Sequence, residues 1–391
     1  MIRGIVYCIH ITGVGHLKRM LMLCEGLLDF AHITFIQGGI EVGLTLDHPN
    51  FHHIKLPFIP ELVSNDLFKD EAMQAEAKRC MKIRKKLLFH DFNIMKKHDF
   101  VITEQVPFTK LMWLNEALSI VRGVKELNPK AIIIGSHKGV TREDKEFLDA
   151  NHLRRYIVGD SITESIITKY YDKIFVHTDP KLIPLEGNFF NIEAVRDKIA
   201  YTGFISKLTE RLPPIERKNK EILVTIGAGM KFRVFMEILL KAIPSIPDYT
   251  FTIVKGPMMT QIQKKRLDEA ERKINNLKVV EFLDNLNDKL RKCALAITMA
   301  GFTLINLYVT RTPALVIPDL QEGSQTNLAR KFNDFGCIRA ISVDDLSPKK
   351  LINHIRELTE KPLEPNFEID LNGISNSQKK LKMLLRSKLL S

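Results

Sequence analysis

Cysteine and tryptophan are both scarce in this chain of 391 residues, which has five cysteines and one tryptophan. The cysteines are odd in number and far apart in the sequence, at Cys8, Cys24, Cys80, Cys293 and Cys337. Several of them fall within apolar strand or helix patterns. The pattern is typical of buried thiols in a reducing compartment, and it argues against a disulfide framework or a cysteine metal site.

Long hydrophobic runs are also missing, and no apolar stretch reaches the roughly 20 residues that a membrane-spanning helix needs. The N-terminus lacks the basic region, the apolar core and the small-residue cleavage site of a secretory signal. We find no low-complexity segment and no repeat of solenoid period. We therefore expect a cytoplasmic globular protein, with peripheral membrane contact as an open alternative.

The charge is unbalanced, since 58 lysines and arginines face 46 acidic residues, for a net charge of +12. Such an excess favours anionic partners such as nucleotide phosphates or acidic lipid head groups. A generally basic surface accounts for most of it. No zinc-finger, RNP or basic-zipper pattern is present in the sequence, so we expect no nucleic-acid partner.

The N-terminal stretch combines a strand, a glycine turn and a helix start. The apolar run from Ile5 to Ile11 is typical of a buried parallel strand, and Gly13 and Gly15 then allow a tight turn. Apolar residues follow at helical spacing, at Leu17, Met20, Leu21, Cys24, Leu27 and Leu28. His16 falls in the first turn of that helix, whose N-terminus binds anions and keeps a histidine neutral. An ordinary α/β turn with a capping histidine has the same pattern.

Strands and helices alternate along the first half of the chain, which predicts a doubly wound parallel sheet over residues 1–205. The predicted strands after the first are 32–39, 51–56, 100–104, 131–135 and 173–177. Helical patterns cover 70–97 and 106–127. The fold class is therefore α/β.

A second α/β unit follows after a proline-containing linker at 206–220. Residues 221–365 repeat the alternation, with predicted strands at 222–226, 250–254, 277–282, 295–298 and 314–317. The tail, residues 366–391, ends in an amphipathic stripe. This stripe either packs back on the first domain or lies on a membrane. Two such domains facing each other enclose a cleft beyond the carboxyl ends of their strands.

The second half contains the more specific chemical pattern. Small residues open a helix in the segment 299–306, where helix amides stabilise a diphosphate. A carboxamide in the segment 321–329, Gln325, is able to bond sugar hydroxyls. The order and separation of these segments make a chance match improbable.

On these segments the chain resembles the GT-B glycosyltransferases of family twenty-eight, the family of the peptidoglycan UDP-N-acetylglucosamine transferase. The resemblance covers nearly the whole chain, through the segments 13–19, 104–108, 171–180, 201–203, 226–229 and 300–303, with Pro313, Pro318 and Gln325. It implies two Rossmann-like domains, an acceptor in the first and a nucleotide sugar, usually a uridine one, in the second.

The resemblance also assigns roles to individual residues. It implies that His16 is the general base on the acceptor hydroxyl or helps to position that hydroxyl. Glu104 is a second candidate base or simply a solvated loop acid. The resemblance implies a donor site in which Phe282 and Leu283 border the uracil and Asn306 meets the ribose. In the same site Ala300, Gly301 and Thr303 hold the diphosphate, Glu322 and Gln325 hold the sugar, and the two glycine turns (Gly13, Gly15, Gly227 and Gly229) approach the donor.

Three features depart from the family pattern. Asn306 stands where the family often has an acidic residue that grips the ribose, and Lys231 follows the second glycine turn in place of an acidic residue and a glycine. The Arg-Asp pair often found after the fifth strand is replaced around Ser136, His137 and Lys138. These departures bear on which nucleotide sugar the chain binds and, to a lesser degree, on whether it is active.

No Asp-x-Asp motif occurs, and the histidines show no ligand spacing, so we expect no metal and no cofactor. We therefore expect an inverting, metal-independent transfer from a nucleotide sugar, uridine-linked by the resemblance, to an acceptor hydroxyl. Two alternatives remain at this stage: a nucleotide-sugar hydrolase that activates water with His16, and a non-catalytic nucleotide-sugar-binding subunit. Net charge, Trp113 among apolar neighbours and the basic tail motivate a membrane hypothesis with a lipid-linked acceptor.

Overall fold

The computed structural model describes residues 2–10, 14–58, 71–91, 96–225, 233–256, 259–283, 285–319 and 322–390. It contains two parallel sheets that follow each other along the chain. Among the described residues, no helix is both long enough and apolar enough to cross a lipid bilayer. Four of the five cysteines are buried, and Cys80 is partly exposed.

The first sheet has seven parallel strands in the order β3-β2-β1-β4-β5-β6-β7. They are β1 (Ile2–Ile9), β2 (Ala31–Gly38), β3 (Phe51–Leu56), β4 (Phe100–Glu104), β5 (Ile132–His137), β6 (Lys173–Val176) and β7 (Ile199–Tyr201). The second sheet has six parallel strands in the order β10-β9-β8-β11-β12-β13. They are β8 (Glu221–Thr225), β9 (Thr250–Val254), β10 (Leu277–Val280), β11 (Leu295–Thr298), β12 (Ala314–Val316) and β13 (Arg339–Ala340).

Helices connect the strands of both sheets. In the first domain they are α1 (Gly15–Leu27), α2 (Glu71–Lys86), α3 (Leu114–Leu127) and α4 (Ala150–Tyr170). In the second they are α5 (Arg233–Ala242), α6 (Gln261–Lys273), α7 (Leu286–Lys292), α8 (Thr303–Thr310), α9 (Gly323–Asp334) and α10 (Pro348–Glu360). The last helix is α11 (Gly373–Leu390).

The central strands are covered on both faces, which explains their continuous apolar sequences. On β1, Ile5 and Tyr7 belong to one core cluster, whereas Val6 and Cys8 on the opposite face belong to another. The apolar stripe predicted on α1 packs in that second cluster. The buried face therefore fixes the first turn of α1 against the end of β1.

The chain crosses between the domains twice, and the two crossings are adjacent. Phe204 donates its backbone N–H to the carbonyl of Asp370 at 2.8 Å, and Gly373 donates to the carbonyl of Phe204 at 3.0 Å. A Cβ on Gly373 would lie 2.5 Å from that carbonyl oxygen, so only glycine permits this approach. Residues 206–220 contain no helix or strand, and Arg217 ties them to the second domain through backbone carbonyls such as that of Leu290.

After the second crossing, α11 packs on the first domain. Leu381 and Leu385 lie in the same core cluster as α1, and Lys388 forms an ion pair with Asp172 at 2.7 Å. The apolar stripe of the tail is therefore covered by protein and is not free to lie on a membrane.

Three local predictions were wrong. The predicted helix over 106–127 begins only at Leu114, because residues 105–110 form turns and a short 3-10 segment precedes α3. Trp113, a proposed membrane contact, is buried in the core with the Arg84 guanidinium 4.4 Å from its ring centroid. The predicted helix over 70–97 ends as α2 at Lys86 and continues as a π-helix over Leu87–Asp91.

Candidate active site

The candidate site lies where the strand order reverses in both sheets. In the first sheet this point is between β1 and β4, and in the second it is between β8 and β11. Ligands of open α/β sheets bind beyond the carboxyl ends of the strands at such points. A cleft of about 490 Å³ opens there, and residues of both domains line it.

His16 and Glu104 meet at the switch point of the first sheet. His16 is in the first turn of α1, directly after β1, and Glu104 is the last residue of the neighbouring strand β4. The His16 Nδ1 atom lies 2.5 Å from Glu104 Oε1. The His16 side chain is 28% exposed and lines the cleft, whereas Glu104 is completely buried. The carboxylate therefore stands behind the imidazole, as seen from the cleft.

Two cations complete the surroundings of Glu104. Arg19, one turn along α1 from His16, donates to Glu104 Oε1 at 2.5 Å, and Lys110 donates to Glu104 Oε2. Burial alone would raise the pKa of Glu104, but His16, Lys110 and Arg19 hold it well below its usual range. The carboxylate is therefore ionised and acts only as a hydrogen-bond acceptor.

The ionised carboxylate fixes the state of the histidine. Because Glu104 only accepts, His16 Nδ1 carries the proton and Nε2 keeps its lone pair. Burial lowers the pKa of His16 to about 3, although Glu104 opposes the shift. The imidazole is thus neutral and oriented, and Glu104 stabilises the imidazolium when a proton arrives.

Glu104 does not fit its predicted role as a second base. Its oxygens are bonded by His16, Arg19 and Lys110, and its side chain does not reach the cleft surface. A base that takes a proton from a substrate must lie within hydrogen-bond distance of it. The geometry instead favours Glu104 as the group that orients His16.

The opposite wall of the cleft is built by the start of α8. Ala300, Gly301 and Thr303, predicted to hold a diphosphate, all line the cleft. The helix has no side-chain N-cap and no acidic residue in its first turn, so its positive end is available to an anion. A Cβ placed on Gly301 would meet nothing within 4 Å, which leaves room for a ligand.

The predicted sugar-binding residues are brought together at the start of α9. The Gln325 amide lies 3.4 Å from Glu322 Oε2, and its oxygen accepts from the backbone N–H of Asp319 at 3.3 Å. All three residues line the cleft. At another edge Phe282 is 62% exposed, and the Lys18 ammonium lies 6.0 Å from its ring centroid.

The remaining predicted residues divide into two groups. Gly15, Leu283 and Asn306 line the cleft. Gly13, Gly227, Gly229 and Lys231 lie outside the described residues.

Sequence patterns did not identify the cations of the site. Arg19 stands within the first glycine-turn motif, but nothing in the sequence links it or Lys110 to Glu104. Lys138 was noted only as a departure from the family pattern, yet it lines the cleft. Its position directly after β5 was the available signal, since strand ends meet at this edge.

The described part of the chain contains no group of three histidine, cysteine, aspartate or glutamate side chains placed to hold a metal ion. The cations that line the cleft are Lys18, Arg19, Lys138, Lys255 and Lys264.

Comparison with known sequences finds similarity in the second half of the chain. Residues 221–384 match the glycosyltransferase family 28 C-terminal domain. A stretch of 154 residues is 23% identical to the UDP-N-acetylglucosamine–N-acetylmuramyl-(pentapeptide) pyrophosphoryl-undecaprenol N-acetylglucosamine transferase of Haemophilus influenzae. That match covers 38% of this chain and 42% of the relative's length.

Solved structures share the whole fold at low sequence identity. TcCGT1 in complex with UDP is 12% identical, with a TM-score of 0.64 over 100% of this chain and 95% of that one. The glycotransferase of kitacinnamycin is 13% identical, with a TM-score of 0.59 over 99% and 96%. MurG of Acinetobacter baumannii is also 13% identical, with a TM-score of 0.51 over 97% and 99%. The predicted fold, two Rossmann-like domains in the GT-B arrangement, is confirmed.

Proposed function

We propose that this chain, a GT-B protein whose residues 221–384 form a glycosyltransferase family 28 C-terminal domain, transfers a sugar from a nucleotide sugar to an acceptor hydroxyl. The observation that carries the proposal is the 2.5 Å contact between His16 Nδ1 and the buried Glu104 carboxylate, at the edge of the cleft. At this edge the oriented, neutral imidazole of His16 lines the same cleft as the start of α8, which is suited to bind a nucleoside diphosphate.

In the proposed reaction His16 Nε2 takes the proton of the acceptor hydroxyl. The freed oxygen attacks the anomeric carbon, and the bond from that carbon to the distal phosphate oxygen breaks. The nucleoside diphosphate leaves with the electron pair, and the configuration at the anomeric carbon is inverted. Glu104 stabilises the imidazolium that forms, which offsets the low proton affinity of a buried imidazole.

We propose a uridine diphosphate sugar as the donor. The exposed ring of Phe282, beside Leu283, offers an apolar face to a base, and Asn306 offers an amide to a ribose hydroxyl. The start of α8 suits the diphosphate, and Glu322 and Gln325 suit the sugar. A relative solved in complex with UDP shares the fold and supports this donor class.

Helix ends and lysines supply the positive charge in this proposal, so transfer requires no metal ion. We expect the transfer rate to be unchanged when divalent cations are removed with a chelator. Loss of the rate on chelation, and its return with one added cation, would contradict this part of the proposal.

Replacement of His16 with asparagine tests the base. Asparagine keeps a hydrogen-bonding group beside Glu104 but cannot accept a proton, so we expect transfer to fall roughly a hundred- to ten-thousand-fold. UDP release is measured from a panel of UDP-sugars with and without glycosides and polyprenyl-linked sugars as acceptors. Full activity of His16→Asn would remove the histidine from the mechanism.

The same panel distinguishes the other functions. UDP release at full rate without any acceptor would identify a hydrolase, with water in place of the hydroxyl. Nucleotide binding without release for every acceptor would identify a non-catalytic subunit. The stereochemistry of the product, read by proton NMR, tests inversion.

We also propose a lipid-linked acceptor and peripheral contact with an acidic membrane. The support is an exposed apolar face on α4, where Ile157, Val158 and Ile162 lie beside the exposed Arg154 and Arg155. Apolar side chains next to cations are the pattern of a membrane-surface helix. The curated relative, whose name includes an undecaprenol-linked acceptor, points in the same direction.

The membrane contact is tested by flotation with vesicles that contain phosphatidylglycerol. Val158→Asp should reduce the bound fraction. Ile262→Asp is the matched control, because Ile262 is 74% exposed on α6 of the other domain. No flotation of the wild-type chain at low salt would end the membrane proposal.

A further inference from the structure

Lys138 is a cation of the cleft to which the proposed reaction assigns no specific group of the substrate. It directly follows β5, one strand away from Glu104, and its side chain lines the same cleft as His16, Glu322 and Gln325. In the described part of the chain, no carboxylate lies within ion-pair distance of its ammonium group. An uncompensated ammonium in a partly buried site is costly, so a bound anion would stabilise it.

The backbone around Lys138 is held in place. Its N–H donates to Gln105 Oε1 at 3.2 Å, and the N–H of Gly139 donates to His137 Nδ1 at 2.9 Å. Gly139 has a φ of +90°, and a Cβ there would lie 2.2 Å from the Thr178 side chain. These contacts fix the backbone from which the Lys138 side chain extends.

The loop that carries Lys138 also contacts the sugar-binding helix. Four residues later, the carbonyl of Arg142 accepts a hydrogen bond from Asn327 of α9 at 2.9 Å. A Cβ on Gly323, the first residue of α9, would lie 3.0 Å from the backbone nitrogen of Glu143. The loop of Lys138 is thus held against the start of α9, where Glu322 directly precedes the helix and Gln325 lies in its first turn.

Among the described residues of its own domain, Lys138 has no acidic partner. Glu104 is already bonded by His16, Arg19 and Lys110. Glu322 faces Lys138 from the second domain and, with Glu104, favours its charged form, but burial and the charges of Arg19 and Lys110 lower the pKa of Lys138 to about 8. The ammonium is still charged at neutral pH. Together with Arg19 and Lys110 it makes three cations beside two carboxylates, Glu104 and Glu322.

We propose that Lys138 binds an oxyanion of the donor next to the reacting carbon, between His16 and the pair Glu322 and Gln325. This inference rests on the proposed function and names a specificity residue for it. Two sources of the oxyanion share this chemistry: the carboxylate of a hexuronic acid sugar and the distal phosphate of the leaving nucleotide. A charged hydrogen bond of this kind contributes about 10- to 100-fold in affinity.

The test compares the binding of UDP, UDP-glucose and UDP-glucuronic acid by isothermal titration calorimetry. The variant is Lys138→Gln, which removes the charge but leaves the backbone N–H contact with Gln105. Lys130→Gln is the matched control, since Lys130 is exposed near the opposite end of β5. Lys138→Arg restores the charge and should restore part of the affinity.

A loss of about 10- to 100-fold confined to UDP-glucuronic acid would assign the sugar carboxylate. A similar loss for all three ligands would assign the distal phosphate. Unchanged binding of all three by Lys138→Gln, with unchanged thermal stability, would overturn the role of Lys138 and leave the proposed function standing. Absence of binding to the wild-type chain would instead overturn both proposals.

Discussion

Asn327 and Asp144 form a buried contact between the two domains, in which the Asn327 amide donates to Asp144 Oδ1 at 2.9 Å. Lys331 forms an ion pair with the same carboxylate at 2.7 Å, and Arg330 adds another at 3.2 Å. This contact, which we call the latch, joins the loop after β5 to the helix that begins beside Glu322.

Removal of the latch carboxylate should affect both stability and donor binding. Asp144→Ala removes one of the acceptors of the Asn327 amide and the carboxylate that pairs with Lys331, which should destabilise the fold by about 1–3 kcal/mol. We expect the KM for the donor to rise several-fold, with a smaller change in kcat, because α9 is no longer held against the first domain. Glu143→Ala is the control, since the Glu143 side chain forms a partly buried ion pair with Arg330 at 3.1 Å. An unchanged KM in a destabilised Asp144→Ala variant would make the latch purely structural.

Glu104→Gln should be one of the most damaging single changes in the chain. It leaves Arg19 and Lys110 buried beside a neutral amide, and breaking a buried ion pair costs about 3–5 kcal/mol. The amide also offers the imidazole a donor as well as an acceptor, so the histidine tautomer is no longer fixed. We expect a loss of at least about a hundredfold in kcat in the fraction that remains folded. Urea unfolding and UDP release measure the two effects separately, and a folded, fully active variant would contradict the orienting role.

Acidification should destabilise the protein through its buried imidazoles. Burial lowers the pKa of His16 and of His137 to about 3, and that of His177 well below 6.5. Between about pH 6.5 and pH 3 the unfolded chain therefore binds more protons than the folded chain, so the free energy of unfolding falls as the pH falls. The low pKa of Glu104 adds a stabilisation that is present above 4.5 and is lost at more acidic pH.

Urea unfolding at several pH values between about 7 and 5 measures this loss. The catalytic rate should not show a titration near pH 6.5, because His16 is already neutral there. A rate that halves near pH 6.5 while the fold remains intact would show that His16 titrates as an ordinary exposed histidine.

Asn306→Asp should increase nucleotide affinity. Asn306 lines the cleft at the start of α8, and a carboxylate there accepts a stronger hydrogen bond from a ribose hydroxyl than an amide does. We expect UDP to bind several-fold more tightly and to raise the thermal midpoint further than in the wild type. Asn306→Leu, which lacks both groups, should bind more weakly. Tighter binding of uracil alone, without the ribose, would contradict this assignment.

The fold was predictable because its strongest signals are local. Strands such as β3 and β11 were predicted with their correct bounds, since short apolar or alternating runs flanked by turns define a buried strand. The start of α3 was not, because the turns at 105–110 depend on contacts such as the N–H of Gln105 with the carbonyl of Ser136 on β5. Nor could the burial of Trp113 be predicted, since Arg84 reaches it from α2.

The residues of the site that belong to sequence motifs were predicted, whereas the others were not. His16 and Glu104 were both named, but their contact spans 88 positions and depends on strand order. Lys110 and Lys138 have no motif of their own, and their importance comes only from the carboxylates and helices that the fold places around them. The chemistry of the cleft therefore depends both on which residues are present and on the strand order that brings them together.

The two crossings between the domains lie side by side, joined by the contacts of Phe204 with Asp370 and Gly373. Two adjacent tethers constrain relative motion far more than one, because they leave essentially a single hinge axis. Any widening of the cleft is then a rotation about this axis, and the latch, which ties α9 to the first domain, opposes it. The tail beyond Gly373 contributes Leu381 and Leu385 to the core of the first domain. The first domain expressed without the tail therefore lacks part of its own core.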